Sequence, residues 1–73
     1  MIKILAMEKQ LSYYLIDLMK SYINKEDLLS EKSSEIILQI GMAIDRAKIA
    51  NQPTAELEYL YETALWLKGE IEK

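Results

Sequence analysis

Cysteine and histidine are both missing from this 73-residue chain. Their absence excludes disulfides, thiolate nucleophiles, Ser-His and Cys-His catalytic pairs, and the usual ligands of zinc and other soft metals. A di-iron bundle goes with them, because its Glu-x-x-His motif needs histidine. Glycine is nearly as scarce. Gly41 and Gly69 are the only two, too few for a phosphate-cradling P-loop or a GxGxxG dinucleotide turn. Proline occurs once, at Pro53, and arginine once, at Arg46. Arginine is the preferred reader of phosphates and base edges, so a single copy argues against nucleic-acid binding. No uncharged apolar run approaches the roughly 18 residues that a membrane span needs. The start, Met1 to Gln10, holds Lys3 and a short apolar run broken by Glu8, too short for a signal-peptide core. The lack of cysteine fits a reducing compartment, and the chain is expected to be cytoplasmic.

What is present points to a small helical protein with apolar surface to spare. A chain of this size suits one domain, residues 1–73, with a marginal core. Small domains are often stapled by a disulfide, a metal or a second subunit, and here self-association is the staple left open. The apolar share, 51%, is slightly high for a soluble chain, and a subunit interface is the expected place for the excess. The charge is unevenly spread. Residues 1–51 balance seven bases against seven acids, whereas residues 52–73 set Lys68 and Lys73 against Glu56, Glu58, Glu62, Glu70 and Glu72. The whole net charge of −3 therefore lies on the last segment, where it repels phosphates.

Three helices are legible from periodicity. The first is predicted over about residues 3–23, where Ile4, Met7, Leu11, Leu15, Leu18 and Tyr22 recur three and four apart. Leu5, Ile16, Met19 and Ile23 widen that stripe. The second is predicted over about residues 25–50. Asn24 is read as its N-cap, with Glu26 and Asp27 near the positive end of the dipole; a later start, capped by Ser30 or Ser33, is the alternative. This helix is apolar on two sides. Ile36, Ile40, Ala43, Ile44 and Ala47 form one face, and Leu38, Met42 and Ile49 lie nearly opposite. Gly41 is read as making room for a neighbouring helix. Asn51, which tolerates a left-handed backbone, and Pro53 end the helix. The third is predicted over about residues 54–71, on Leu57, Leu60, Tyr61, Ala64, Leu67 and Ile71, with fraying beyond Lys68 because of Gly69.

The expected fold is all-α: an up-down-up three-helix bundle, or a flat helical layer, with helix 2 central and a second copy covering its other apolar face. No catalytic residue, cofactor-binding residue or metal ligand is assigned. The i, i+4 pairs Glu31/Glu35 and Glu58/Glu62 read as solvated faces rather than metal sites. Asp45, the one acid in the densest apolar stretch, reads as half of a salt bridge with Lys48.

The candidate interface residues are Leu38, Met42 and Ile49 on helix 2, and Tyr59, Glu62 and Trp66 on helix 3. Large aromatics favour interface hot spots; burial of Trp66 against the Met42 and Ile49 side is the competing reading. The composition resembles that of small bacterial and phage regulators and of bacteriocin immunity proteins, and no residue role is carried over from that likeness. The expected function is a non-enzymatic protein-interaction module, such as a stoichiometric inhibitor, an antitoxin-like factor or a regulator. It acts through an apolar and acidic helix face. The alternative is a structural homo-oligomer or an immunity-protein-like bundle. The expected partner is another protein, with a basic surface suiting the acidic third helix, and a homodimer is expected; neither nucleic acid nor a membrane span is.

Overall fold

A computed structural model describes residues 2–73, with side chains from residue 9 onward. The described residues form three α-helices: α1 (Ile2–Ile23), α2 (Leu29–Ile49) and α3 (Ala55–Ile71). The two short turns make successive helices antiparallel. α2 packs most extensively on α3 and then on α1, and α1 also packs on α3. The arrangement is a closed three-helix bundle, not a flat layer.

Each chain reversal follows from a helix-ending motif. At the end of α2, Asn51 adopts the left-handed conformation (φ 56°). The Gln52 N–H donates to the Ala47 carbonyl at 2.8 Å, and the Asn51 N–H donates to Lys48 at 3.1 Å. These are the paired bonds of a Schellman cap, with asparagine at its left-handed position. Pro53 follows and blocks any continuation.

The end of α1 uses the same motif with a less obvious residue. Lys25 is left-handed (φ 54°), while Glu26 N–H donates to Ser21 at 3.0 Å and Lys25 N–H donates to Tyr22 at 3.1 Å. Asn24 N–H still donates back to Lys20, so Asn24 closes α1 and does not cap α2. The expected start of α2 near residue 25 is thereby corrected to Leu29. Its N-cap position is Leu28, also left-handed (φ 63°) and without a side-chain capping bond. Ser33 is not a cap either. It is fully buried one turn inside α2, and its hydroxyl donates to the Ser30 carbonyl at 2.8 Å.

The core draws on one face of each helix: Leu11, Leu15 and Leu18 from α1; Ile40, Ala43 and Ala47 from α2; Leu57, Leu60, Ala64 and Leu67 from α3. Ile36, Ile44, Tyr61 and Ile71 pack around it. Ile4, Leu5 and Met7, assigned from the sequence to the α1 stripe and its flank, lie outside the described side chains. The small residues Ser33, Ala43, Ala47 and Ala64 line the buried faces and let the helix backbones approach closely. Gly41 is not one of them. A Cβ built there meets only the Tyr61 ring, at 3.7 Å, an ordinary van der Waals contact. α3 continues past Gly69 to Ile71 and does not fray at Lys68. Ile71 packs on the core, and the Glu72 carboxylate accepts from the Ser30 hydroxyl at 2.7 Å and pairs with Lys68 at 3.0 Å.

Candidate functional site

The strongest candidate is the face of α2 that the bundle leaves open. α2 carries apolar residues on nearly opposite faces, and the closed bundle covers only one of them. Ile40 is 0% exposed while Ile49, on the same helix, is 85% exposed. Leu38 and Met42 are exposed along the same outer strip. Such residues add little to stability where they stand, because their surface remains in water.

Beside this strip runs an open groove of about 680 Å³ between α2 and α3. Ile37, Leu38, Met42 and Ile44 contribute its α2 wall, and Tyr61 and Glu58 face them from α3. The absence of a side chain at Gly41 widens the groove beside the Tyr61 ring. Asp45 and Lys48 stand on its lining, but among the described residues they form no ion pair, contrary to the expected salt bridge. Two exposed charges gain little in water by holding one geometry. The groove is apolar along its length and polar at its rim, the pattern that suits an amphipathic helix or a second helical surface.

Tyr59, Glu62 and Trp66 are placed elsewhere. All three are exposed, Tyr59 at 70% and Trp66 at 61%. None of them lines the groove that contains Leu38 and Met42. Burial of Trp66 against α2 is therefore overturned. The buried α3 positions Leu57, Leu60, Ala64 and Leu67 define its inward face, and the three- and four-residue steps from Tyr59 to Glu62 to Trp66 follow a different stripe. The six candidate residues form two surfaces: an apolar strip with a groove on α2, and an aromatic and acidic stripe on α3.

The acids of α3 and of its C-cap, Glu72, are not equivalent. Glu70 pairs with Lys73 at 2.7 Å and Glu72 with Lys68 at 3.0 Å. The Ser30 hydroxyl, followed by Lys68, holds the Glu72 carboxyl below the usual glutamate range. Glu58 accepts from the Thr54 hydroxyl at the first turn, where both Glu56 and Glu58 complement the helix dipole. Glu56, Glu58 and Glu62 pair with no described cation. Among the described residues, no three acids stand close enough to hold a metal ion, and no helix is long and apolar enough to cross a membrane. Tyr61 and Ile37 were not singled out as groove residues from the sequence. Tyr61 stands on the α3 core stripe and Ile37 on neither face named for helix 2, and the packing of α3 on α2 leaves both half-buried at the edge of the groove.

No protein-family model, curated protein or solved structure matches the chain.

Proposed function

We propose that this protein is a non-enzymatic interaction module, a small inhibitor, antitoxin-like factor or regulator, that docks another protein on the outer strip of α2 and the groove beside it. The observation that carries this reading is Leu38, Met42 and Ile49 standing exposed on a bundle that closes without them. Leu38 and Met42 also line the groove, with Ile37, Ile44 and Tyr61 beside them, and apolar surface grouped in this way on a small protein favours an interaction site. The exposed acids of α3 add a field that favours a partner with basic residues near the docked surface. A cytoplasmic setting belongs to the same reading and rests on the absence of cysteine.

A second copy of the chain is one occupant favoured by a specific feature. The strip Leu38, Met42, Asp45, Ile49 carries a single charge, so two strips can face one another across a two-fold axis with little repulsion. A photo-crosslinking side chain introduced in place of Leu38, Met42 or Ile49, in the source cells, tests both forms. Adducts are expected from all three positions and not from Tyr13, which is exposed on α1. An adduct of twice the 8.5 kDa chain mass assigns the strip to self-association. Equal yields at Tyr13, or no adduct at any of the three positions, refute the reading.

A further inference from the structure

A second groove, of about 600 Å³, runs along the other side of α2, between it and α1. Its floor is apolar, formed by the buried Leu18 and the partly buried Ile36. Its rim is acidic, with Asp17 on α1 and Glu31 and Glu35 on α2. Lys32 is the one described cation on the lining, and it is already engaged by Glu26 at 3.4 Å and by the Ser21 hydroxyl at 3.5 Å. The three rim carboxylates pair with no described cation; Glu35 accepts a hydrogen bond from the Gln39 side-chain amide at 3.1 Å. The lining thus carries three acids against one occupied base. Leu28 adds an apolar lip at one end, and Tyr14 and Gln39 complete the wall.

The acids are spread along the groove. Glu31 and Glu35 are one helical turn apart, about 6 Å along the axis, and Asp17 faces them from another helix. Among the described residues no three acids converge on one point, so the charge matches a row of cations and not a single metal ion. From Leu28 to Gln39 the groove extends about 16 Å at 1.5 Å per residue, which is about three turns of a docked helix.

We infer that this groove is a docking site for a basic amphipathic helix of a partner protein. The surface is distinct from the α2–α3 groove, and the inference stands or falls separately from the proposed function. Lysine or arginine residues one turn apart on the incoming helix oppose Glu31 and Glu35. Their aliphatic stems lie along Leu28 and Ile36, in the usual manner of long cationic side chains. An apolar residue between them faces Leu18. Nucleic acid and anionic lipid are repelled by the same rim.

The test is an amide chemical-shift titration of the full chain with a synthetic amphipathic helix carrying lysines at i and i+4 beside leucines. The controls are the same peptide with glutamates in place of the lysines, and calcium chloride alone. Shifts are expected at Asp17, Leu28, Glu31, Glu35 and Gln39, and not at Leu38, Met42 or Ile44. Affinity is expected to fall with salt and to weaken by about tenfold when both Glu31→Gln and Glu35→Gln are present, the size of two exposed ion pairs. Both glutamates are exposed, so the variant keeps its fold, and circular dichroism checks this. Three results overturn the inference: equal binding by the glutamate peptide, shifts centred on the α2–α3 groove, and a double variant that binds as well as wild type. Calcium alone producing the same shifts replaces it with a simple cation site.

Discussion

Truncating the same side chain on opposite faces of α2 separates its buried role from its exposed one. Ile40 is fully buried and Ile49 is 85% exposed, nine positions apart on one helix. Ile40→Ala removes three carbons from the core, about 2.4 kcal/mol at roughly 0.8 kcal/mol per buried methylene. The cavity left behind adds to this, placing the loss within the range of about 2–5 kcal/mol seen for such truncations. An unfolding entropy of about 2.1 cal/mol/K per residue gives about 0.15 kcal/mol/K for a chain of this length, so a loss of 3 kcal/mol lowers the melting midpoint by about 20 °C. Ile49→Ala removes the same atoms from water-exposed surface and gains slightly in helix propensity, so its midpoint is expected within about 3 °C of wild type. Thermal melts followed by far-UV circular dichroism, at low micromolar concentration, read both values. Equal shifts for the two variants, or an Ile40→Ala midpoint within about 3 °C of wild type, would refute the assignment of the two faces.

Three further outcomes are expected. Gly41→Ala and Gly69→Ala each meet no close contact, so each should raise stability by about 0.5–1 kcal/mol through helix propensity; a fall in the melting midpoint would mean that Gly41 is needed for packing. Lys25→Gly relieves a left-handed non-glycine residue at the Schellman position and should stabilise by about 1 kcal/mol, read by urea unfolding, with a loss of stability pointing to contacts of the Lys25 side chain instead. Glu72 should titrate below the ordinary glutamate value in a carboxyl-carbon NMR titration, and Ser30→Ala should move it back toward that value. Because the folded value is depressed, the contribution of the Ser30–Glu72 contact is full above the ordinary glutamate pKa and is lost as pH falls through the lowered one. A Glu72 titration unaffected by Ser30→Ala would show that Lys68 alone sets it.

Much of the bundle was readable wherever a local rule and the global packing agree. The α3 stripe Leu57, Leu60, Ala64, Leu67 is buried as its spacing required. Asn51 ends α2 in the left-handed conformation that asparagine tolerates. The turn between α1 and α2 was misread because Asn24 has the chemistry of an N-cap, yet the chain places the left-handed residue one position later, at Lys25. No sequence rule favours lysine there; the position is fixed by the Schellman bonds from Lys25 and Glu26 back to Tyr22 and Ser21. Ser33 reads as a helix cap by type, but it lies seven positions from Ile40 on the buried face and satisfies its hydroxyl within its own helix. The two apolar faces of α2 were legible from periodicity. Which helices cover which face was not, because that depends on α1 meeting α3, a long-range contact with no local signal. Gly69 suggested a frayed end by propensity, and the contacts of Ile71 and Glu72 override it.

The central claim is that the outer strip of α2 is kept apolar for a partner and contributes little to the fold. The most direct measurement is the melting midpoint of a chain carrying Leu38→Gln, Met42→Gln and Ile49→Gln together, at low micromolar concentration. Exposed substitutions each change stability by no more than about 0.5 kcal/mol, so the midpoint is expected within about 10 °C of wild type, with helicity unchanged. A fall of about 20 °C or more, or loss of helical signal at room temperature, would contradict the claim and make the strip part of the structure's own core.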